Sequence, residues 1–339
     1  MTAGNMPQGW GLPNQTPTEI VDTEKRCFGQ LANAMPEMVM RSEPKPVVNT
    51  KLLEGVKQQM RSDGFEDGFD FTYLEQAIFG KPLEYKPQLI GSCVASGGRI
   101  VDTGRMLAET FIFNESQDIM GSKFQGPESF QPFAPFNYRS GRKLGGINGG
   151  SASGRDDGSF CAPHYQGKIQ DGFLPCSVVP SSHTDAWPEP QNHATYRKWG
   201  ADDQYLNMYR DKVVGKLEET EKVSDINDLK TLLVDHLKPM QVCSLWAFES
   251  SNDIIDIGGQ RTPIYRRSNQ QWAHNMSIVG CVASDGKWFV KIQNTWGKMH
   301  SGNDWFLIPI DLMARWCRDA EIQTTGNILL FEKPEVISA

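Results

Sequence analysis

The chain has no cluster of basic residues and no long apolar run. Its 41 acidic side chains outnumber its 34 basic ones, which gives a formal net charge of −7. An acidic chain without a basic patch lacks the electrostatic footprint of a nucleic-acid-binding protein. No apolar stretch reaches the roughly 18 residues that a membrane helix needs. We therefore expect neither a nucleic-acid partner nor a membrane partner.

The N-terminal residues lack the features of an export signal. Residues 1–19 contain neither a basic head nor an apolar core, and a secretion signal needs both. A cytoplasmic location is therefore expected. Association with a virus particle and export by another route remain open alternatives.

The cysteines form no recognisable framework. There are seven, an odd number, and none shows paired C-x-x-C spacing, so the sequence indicates neither a zinc site nor a set of disulfides. No metal and no organic cofactor are expected. Cysteine is often a small buried hydrophobic residue, and this is the interpretation for Cys161, Cys176, Cys243, Cys281 and Cys317.

The chain does contain enough apolar material for a sizeable core. Of its 339 residues 39% are hydrophobic, and this length suits one large domain or two. Residues 1–84 are interpreted as an N-terminal extension, an arm with short helices at Lys51 to Arg61 and Asp70 to Phe79. Its predicted role is packing or contact with a protein partner, with a removable propeptide as the alternative.

Residues 114–162 are rich in Gly, Ser, Phe and Pro and predict a long irregular excursion. Loops of this length inside a compact domain usually have a task. Contact with a substrate or partner is one interpretation, and an ordinary surface insertion is the other.

Two separate segments supply a thiol, an imidazole and an amide. Cys93 lies in the segment QLIGSCVASGG at 88–98, and His274 and Asn294 lie in the segment 274–297. Thiolate-based acyl transfer requires a nucleophile, a base and a group that orients the base. These three residues are therefore candidates for a catalytic triad.

The residues around Cys93 predict an activated thiol. The apolar spacing over residues 94–109 predicts a helix that starts near Cys93. The first turn of a helix carries unpaired N–H groups and a positive dipole end, which favour an anion. A free thiol has a pKa of about 8.5, so this position, with a cationic His274 beside it, would favour the reactive thiolate.

The segment after His274 predicts a hairpin. Residues 276–282 are apolar and residues 287–293 alternate, which is typical of two strands, and Asp285 and Gly286 form a turn between them. Pairing through this turn would bring Asn294 back to His274, where the amide oxygen could fix the imidazole tautomer. Trp296 would then cover the contact and keep water away.

These segments resemble the motifs of papain-like cysteine peptidases. The Cys segment of that family reads Gln and then Gly-Ser-Cys at the start of a long helix, and here Gln88 precedes Gly91-Ser92-Cys93. Its Asn segment reads Asn-Ser-Trp-Gly, and this chain has Asn294-Thr295-Trp296-Gly297. The resemblance extends over roughly residues 85–331. It implies an α+β, papain-like fold with a helical subdomain at 85–224, a β-barrel-like subdomain at 225–339 and an active-site cleft between them.

A third match concerns substrate binding. The family carries a Cys-Asn-Gly-Gly segment whose glycines hold the substrate backbone, and residues 147–150 read Ile-Asn-Gly-Gly. The resemblance therefore implies that Gly149 and Gly150 bind an extended substrate. In secreted members that cysteine is paired with a cysteine three positions before the nucleophile, and these positions are Ile147 and Ile90 here. We expect the two isoleucines to replace the disulfide by a packed contact, as a reducing compartment allows.

The resemblance also implies roles for the remaining site residues. Gln88 would donate to the oxyanion together with the backbone N–H of Cys93, although it stands five residues before Cys93 where the family usually has six. Trp296 and Asn275 are further predicted substrate-binding residues. The family usually has a small apolar residue in the place of Asn275, so its subsite preference for substrates does not carry over.

The sequence thus predicts a cysteine-type endopeptidase whose partner is a peptide or protein substrate. Three alternatives stay open: an amide hydrolase that acts on peptidoglycan, a non-enzymatic component of an assembly such as a virion, and acyl transfer to an amine instead of water.

Overall fold

The structure is a computed structural model that describes residue 12 and residues 15–39, 43–85, 87–88, 90–113, 126–147, 157–183, 193–257, 260–297, 304–319 and 321–331. The helices in these ranges are α1 Pro17–Ala34, α2 Thr50–Ser62, α3 Phe71–Phe79, α4 Cys93–Ala108, α5 Ala134–Leu144, α6 Cys161–Gln170, α7 His193–Ala201, α8 Gln204–Tyr209, α9 Ile226–Val234 and α10 Ala314–Arg318.

The strands form one large sheet and one small sheet. They are β1 Asp67–Asp70, β2 Gly215–Leu217, β3 Met240–Ile257, β4 Gln260–Ser284, β5 Lys287–Gln293, β6 Trp305–Pro309, β7 Ile322–Thr324 and β8 Ile328–Leu330. The large sheet has the order β5-β6-β4-β3-β7, with β1 and β5 also paired to β4, and β2 pairs with β8 alone. The expected mixed class of helix and sheet is confirmed, and the division into subdomains at residues 85–224 and 225–339 stays a prediction.

Strand β4 is the centre of the sheet. Over its first part it pairs with β3, and over its last part it pairs with β5 in an antiparallel hairpin. The predicted turn is confirmed: Asp285 and Gly286 both have positive φ, at 50° and 68°, as a two-residue hairpin turn requires. The first strand of the hairpin is longer than residues 276–282, because β4 continues back to Gln260.

Two apolar cores flank the sheet. One packs α9 and α10 against β3, β4 and β5, with Leu232, Met276, Ile292 and Trp316 among its fully buried members. The other fills the space between the N-terminal elements, the end of α4 and the sheet: Val56, Phe69, Phe71, Leu107 and Phe289. Burying such side chains is the main stabilising contribution in a domain of this size.

Helix α4 lies between the two halves and is buried along its whole length. A buried cation on it, Arg105, is held by polar partners through its two terminal nitrogens. Arg105 donates to Glu109 Oε1 at 2.6 Å, to Asn327 Oδ1 at 2.6 Å and to the carbonyl oxygen of His236 at 2.7 Å. Removing one partner of a buried charged group is costly, so these contacts fix α4 on the sheet half.

The described part of the N-terminal extension is built into this body. Strand β1 pairs with β4, and helices α2 and α3 confirm the helices predicted at Lys51 to Arg61 and Asp70 to Phe79. Helix α1 was not predicted, because the sequence was interpreted as an extended arm up to residue 20. Its Glu24 is buried and accepts the backbone N–H groups of Cys161 and Ala162 at 2.9 and 2.7 Å.

The predicted irregular excursion also contains regular structure. Helix α5 lies inside residues 114–162, and α6 begins at Cys161. Pro135 stands near the start of α5, where its missing N–H costs no helical bond. The prediction of irregular structure across the whole segment was therefore wrong for residues 134–144.

In the part of the chain that the structure describes, none of the helices combines the length and the apolar character needed to cross a bilayer.

Candidate active site

The first residue of helix α4 is Cys93, as the sequence predicts. The side chain of Ser92, at the N-cap, makes no capping hydrogen bond and instead lies 3.2 Å from Ser96 Oγ. The first-turn N–H groups of a helix have no intrahelical partner. The sulfur of Cys93 therefore lies at the positive end of a buried helix, which is the expected environment for a thiolate.

Two glycines allow this helix to lie close to its neighbours. A Cβ atom on Gly97 would collide with the side-chain oxygen of Asn275, and one on Gly98 would collide with the ring of His164. The sequence shows these glycines as an awkward pair inside a helix. The structure explains them, because a larger residue at either position would push α4 away from β4 or α6.

The hairpin brings His274 and Asn294 together. The distance from Nε2 of His274 to Oδ1 of Asn294 is 2.9 Å. An amide oxygen only accepts hydrogen bonds, so Nε2 donates and carries the proton. Nδ1 is then the basic nitrogen of the ring, and it makes no hydrogen bond to any residue that the structure describes.

The sulfur of Cys93 lies beside the backbone that follows His274. The N–H of Asn275 donates to Cys93 Sγ with an N to S distance of 3.3 Å. The packing of α4 on β4 thus places the sulfur of Cys93 beside the residue that follows His274.

Two tryptophan rings enclose the imidazole. Trp296 stacks on His274 with ring centroids 4.0 Å apart and an interplanar angle of 22°. Trp272 packs edge-on against the same ring at 5.2 Å. Burial lowers the pKa of His274 to about 3, against the opposing effect of the bond to Asn294. The expected imidazolium is therefore not the favoured form, and the imidazole of His274 is neutral at neutral pH.

Gln88 is tied to the Asn segment. Its backbone N–H donates to the Thr295 carbonyl oxygen at 2.7 Å, and the hydroxyl of Thr295 donates to the side-chain oxygen of Gln88. The side-chain nitrogen of Gln88 donates to the Ile90 carbonyl oxygen at 2.9 Å. These contacts place Gln88 beside the triad segment despite its shifted spacing in the sequence, and its role at the oxyanion stays a prediction.

The site is closed in this structure. Cys93 and His274 have no exposed surface, and Asn294 and Gln88 are only 3% and 5% exposed. Ile20 of the N-terminal helix belongs to the same apolar cluster as Cys93. A substrate can therefore reach the sulfur only after part of this cover moves.

Asn275 is not placed like a substrate-binding residue. Its side chain has no exposed surface. Its amide nitrogen donates to the sulfurs of Cys161 and Cys243 at 3.3 and 3.2 Å, and its oxygen accepts from Gln241 at 2.8 Å. The predicted contact with substrate has no accessible surface here, and the residue packs behind Cys93 instead.

A disulfide joins Cys161 and Cys243, which are 82 positions apart. It connects the start of α6 in the helical half with β3 in the sheet half. The interpretation of these two residues as simple buried thiols was therefore wrong. Cys281 and Cys317 are buried free thiols as expected, and Cys176 is half-buried.

The remaining predicted site residues divide into two groups. Gly149 and Gly150 lie outside the described residues. Ile90 and Ile147 are both buried, but they belong to different apolar clusters. The expected packed contact between these two isoleucines is therefore absent.

Sequence reasoning missed three contributors to the site: Trp272, Gln241 and the Cys161–Cys243 bridge. Trp272 had a usable signal, since it lies two residues before His274 and alternation places both side chains on one face of a strand. The sequence contains no such signal for Gln241 or for the bridge, because the residues that they contact come from distant segments.

Comparisons with known proteins place the chain by its fold. No protein-family profile matches the sequence, and no curated protein matches it. Among solved structures, xylellain, a cysteine protease from Xylella fastidiosa, is 14% identical with a TM-score of 0.52, over 96% of this chain and 97% of xylellain. A procathepsin B from Trypanosoma congolense is 16% identical with a TM-score of 0.46, over 94% and 99% of the two chains. The likeness to xylellain confirms the α+β, papain-like fold.

Proposed function

We propose that this chain with a papain-like fold is a cysteine-type endopeptidase, with Cys93 as nucleophile, His274 as base and Asn294 as the group that orients the base. The observation that carries the proposal is the bond between His274 Nε2 and Asn294 Oδ1. It assigns the ring proton to Nε2 and leaves Nδ1 to take the proton of the thiol. Cys93 at the start of α4 supports the same assignment.

The reaction begins when Nδ1 of His274 takes the proton of Cys93 and the sulfur attacks the carbonyl carbon of a peptide bond. The resulting oxyanion is held by the backbone N–H of Cys93 and by Gln88. Each such donor is worth about 10²- to 10³-fold in rate. The intermediate collapses to a thioester when the proton on Nδ1 passes to the departing amine.

Deacylation reverses the roles. His274 takes a proton from water, the hydroxide attacks the thioester carbon, and the sulfur leaves with the shared electron pair. The acid product departs and Cys93 regains its proton. Throughout these steps Asn294 holds the ring in one tautomer, and Trp296 keeps water from competing for the bond.

The proposed alignment of the substrate is based on the sequence match at residues 147–150. Gly149 and Gly150 would hold an extended peptide by main-chain hydrogen bonds. The extension before residue 85 would contact a protein partner or take part in opening the closed site.

Labelling with an activated-thiol probe tests this proposal. A peptidyl epoxide reacts with thiolates that a base activates, and mass spectrometry identifies the labelled cysteine. Cys176 is a natural control, because it is the free cysteine with the most exposure among those described. We expect labelling at Cys93 before Cys176, and loss of that label in His274→Ala. Preferential labelling of Cys176 would overturn the proposal.

The complete burial of Cys93 and His274 favours one second candidate, a non-enzymatic component of a larger assembly. A scaffold of this kind would keep the site permanently closed. Cys93 would then react with the epoxide no faster than the other buried thiols, Cys281 and Cys317, and no peptide would be hydrolysed.

A further inference from the structure

The sulfur of Cys93 is contacted by a residue outside the triad. The backbone N–H of Asn275 donates to it at 3.3 Å. Asn275 stands opposite Cys243 in the β3–β4 register, and the N–H of Cys243 donates to Glu321 on the far side of β3. The two residues therefore form a pair without mutual hydrogen bonds. The N–H of Asn275 consequently points away from β3.

Among the described residues, no strand pairs with the other edge of β4 at this point. Its pairing with β5 ends at Ser277, two residues after Asn275. The first residue of α4 occupies the place of a neighbouring strand, and the sulfur of Cys93 accepts the edge N–H. This arrangement makes the N–H a donor that is aimed at the nucleophile and buried with it.

The side chain of Asn275 is anchored by three residues on two elements, β3 and α6. Its oxygen accepts from Gln241 on β3, and its nitrogen donates to the sulfurs of Cys161 on α6 and Cys243 on β3. Gln241 also donates to the Val94 carbonyl oxygen of α4 at 2.8 Å. The same amide network thus holds the backbone of Asn275 and the first turn of the nucleophile helix.

We infer that Asn275 is a positioning residue, whose anchored side chain holds its backbone N–H on the sulfur of Cys93 and so favours the thiolate. This inference rests on the proposed function and deepens it. A hydrogen bond to a charged acceptor is about twice as strong as one to a neutral acceptor. The donor therefore stabilises the thiolate more than the thiol.

Among the described residues, none of the other ionisable groups near this network hydrogen-bonds to the side chain of Asn275. His274 precedes it on β4. Behind Gln241 lies the buried pair of Lys168 on α6 and Asp102 on α4, 2.9 Å apart, and Glu24 of α1 binds the N–H of Cys161. A change in the reactivity of Cys93 in an Asn275 variant therefore reports the lost amide.

The test is the rate at which iodoacetamide alkylates Cys93 as a function of pH, measured by peptide mass spectrometry on the full chain. Asn275→Ala is expected to raise the pH midpoint of this rate by about one unit, which corresponds to about 1.4 kcal/mol. Alkylation at neutral pH should then slow roughly tenfold. Gln241→Leu, which removes one anchor and leaves Asn275 intact, should shift the midpoint in the same direction.

Ser277→Ala is the matched control. Ser277 lies on the same face of β4, is fully buried and contacts α4 through the Gly97 carbonyl oxygen at 2.9 Å. If this face of β4 had only a structural role, the pH midpoint of Cys93 alkylation would shift in both Asn275→Ala and Ser277→Ala. The inference predicts an unchanged midpoint for Ser277→Ala.

The outcomes separate this inference from the proposed function. A wild-type midpoint at the free-thiol value of about 8.5 would overturn the proposed function. A lowered wild-type midpoint that Asn275→Ala leaves unchanged would overturn the inference alone. If Asn275→Ala does not fold, Gln241→Leu takes its place in the test. An unshifted midpoint in Gln241→Leu would likewise overturn the inference.

Discussion

The indole of Trp296 lies flat on the imidazole of His274, with the ring centroids 4.0 Å apart. With Trp272 on a second side, it removes the base from water and leaves the bond to Asn294 as the polar contact of the ring among the described residues. Burial disfavours the charged form of an imidazole. The cover of the site therefore controls the proton affinity of its base.

Trp296→Ala should raise the pKa of His274 from about 3 toward the usual value of about 6.5, because water regains access to the ring. An NMR titration of the imidazole protons measures this change. Trp288→Ala is the control, since Trp288 lies on β5 and its ring contacts Lys230. A pKa of His274 that is equal in both variants would contradict the role of Trp296.

The same burial predicts how stability depends on pH. The pKa of His274 is lower in the folded chain than in the unfolded chain, so the unfolded state binds more protons between about pH 3 and about 6.5. The free energy of unfolding should therefore fall as the pH drops through this window. His274→Gln should flatten this part of the profile in urea unfolding experiments, and an identical profile would show that His274 is not buried as described.

The Cys161–Cys243 bridge should stabilise the fold. Replacing both cysteines by serine should lower the free energy of unfolding by about 2–5 kcal/mol, the usual cost of removing a native disulfide. Urea unfolding measures the loss, and Cys176→Ser is the control. Peptide mapping without reductant should find the two cysteines linked. Recovery of both as free thiols would contradict the pairing.

Glu24 should hold the N-terminal helix on the body. Glu24→Ala leaves the N–H groups of Cys161 and Ala162 without their acceptor, and an unsatisfied buried group costs about 1–3 kcal/mol. We expect faster limited proteolysis within residues 15–39. Asp22→Ala, on the exposed side of the same helix, should leave the rate unchanged. Equal rates in the two variants would indicate a loosely attached extension.

The elements near the site could be predicted because their signals are local. Apolar spacing indicated α4, and Asp285 and Gly286 between two apolar runs indicated the hairpin that joins His274 to Asn294. Helix α1 also had a local signal, a capping box of Thr16 and Glu19 around Pro17. That signal was missed because the residues before it are rich in Pro, Gly and Asn.

The features that could not be predicted depend on packing between distant segments. Cys161 meets Cys243 because α6 lies against β3, and no spacing rule connects positions 82 apart. The inward position of Asn275 follows from the docking of α4 on the edge of β4. Strand alternation separates His274 and Asn275 onto opposite faces, but it does not tell which face a helix will cover.

Hydrolysis of an unfolded protein substrate by wild type and by Cys93→Ala, each checked for an unchanged circular dichroism spectrum, tests the central claim most directly. Cys176→Ala serves as the control for the loss of a thiol. The account predicts turnover by wild type and by Cys176→Ala, and none by Cys93→Ala. Undiminished hydrolysis by Cys93→Ala would contradict the assignment of the nucleophile.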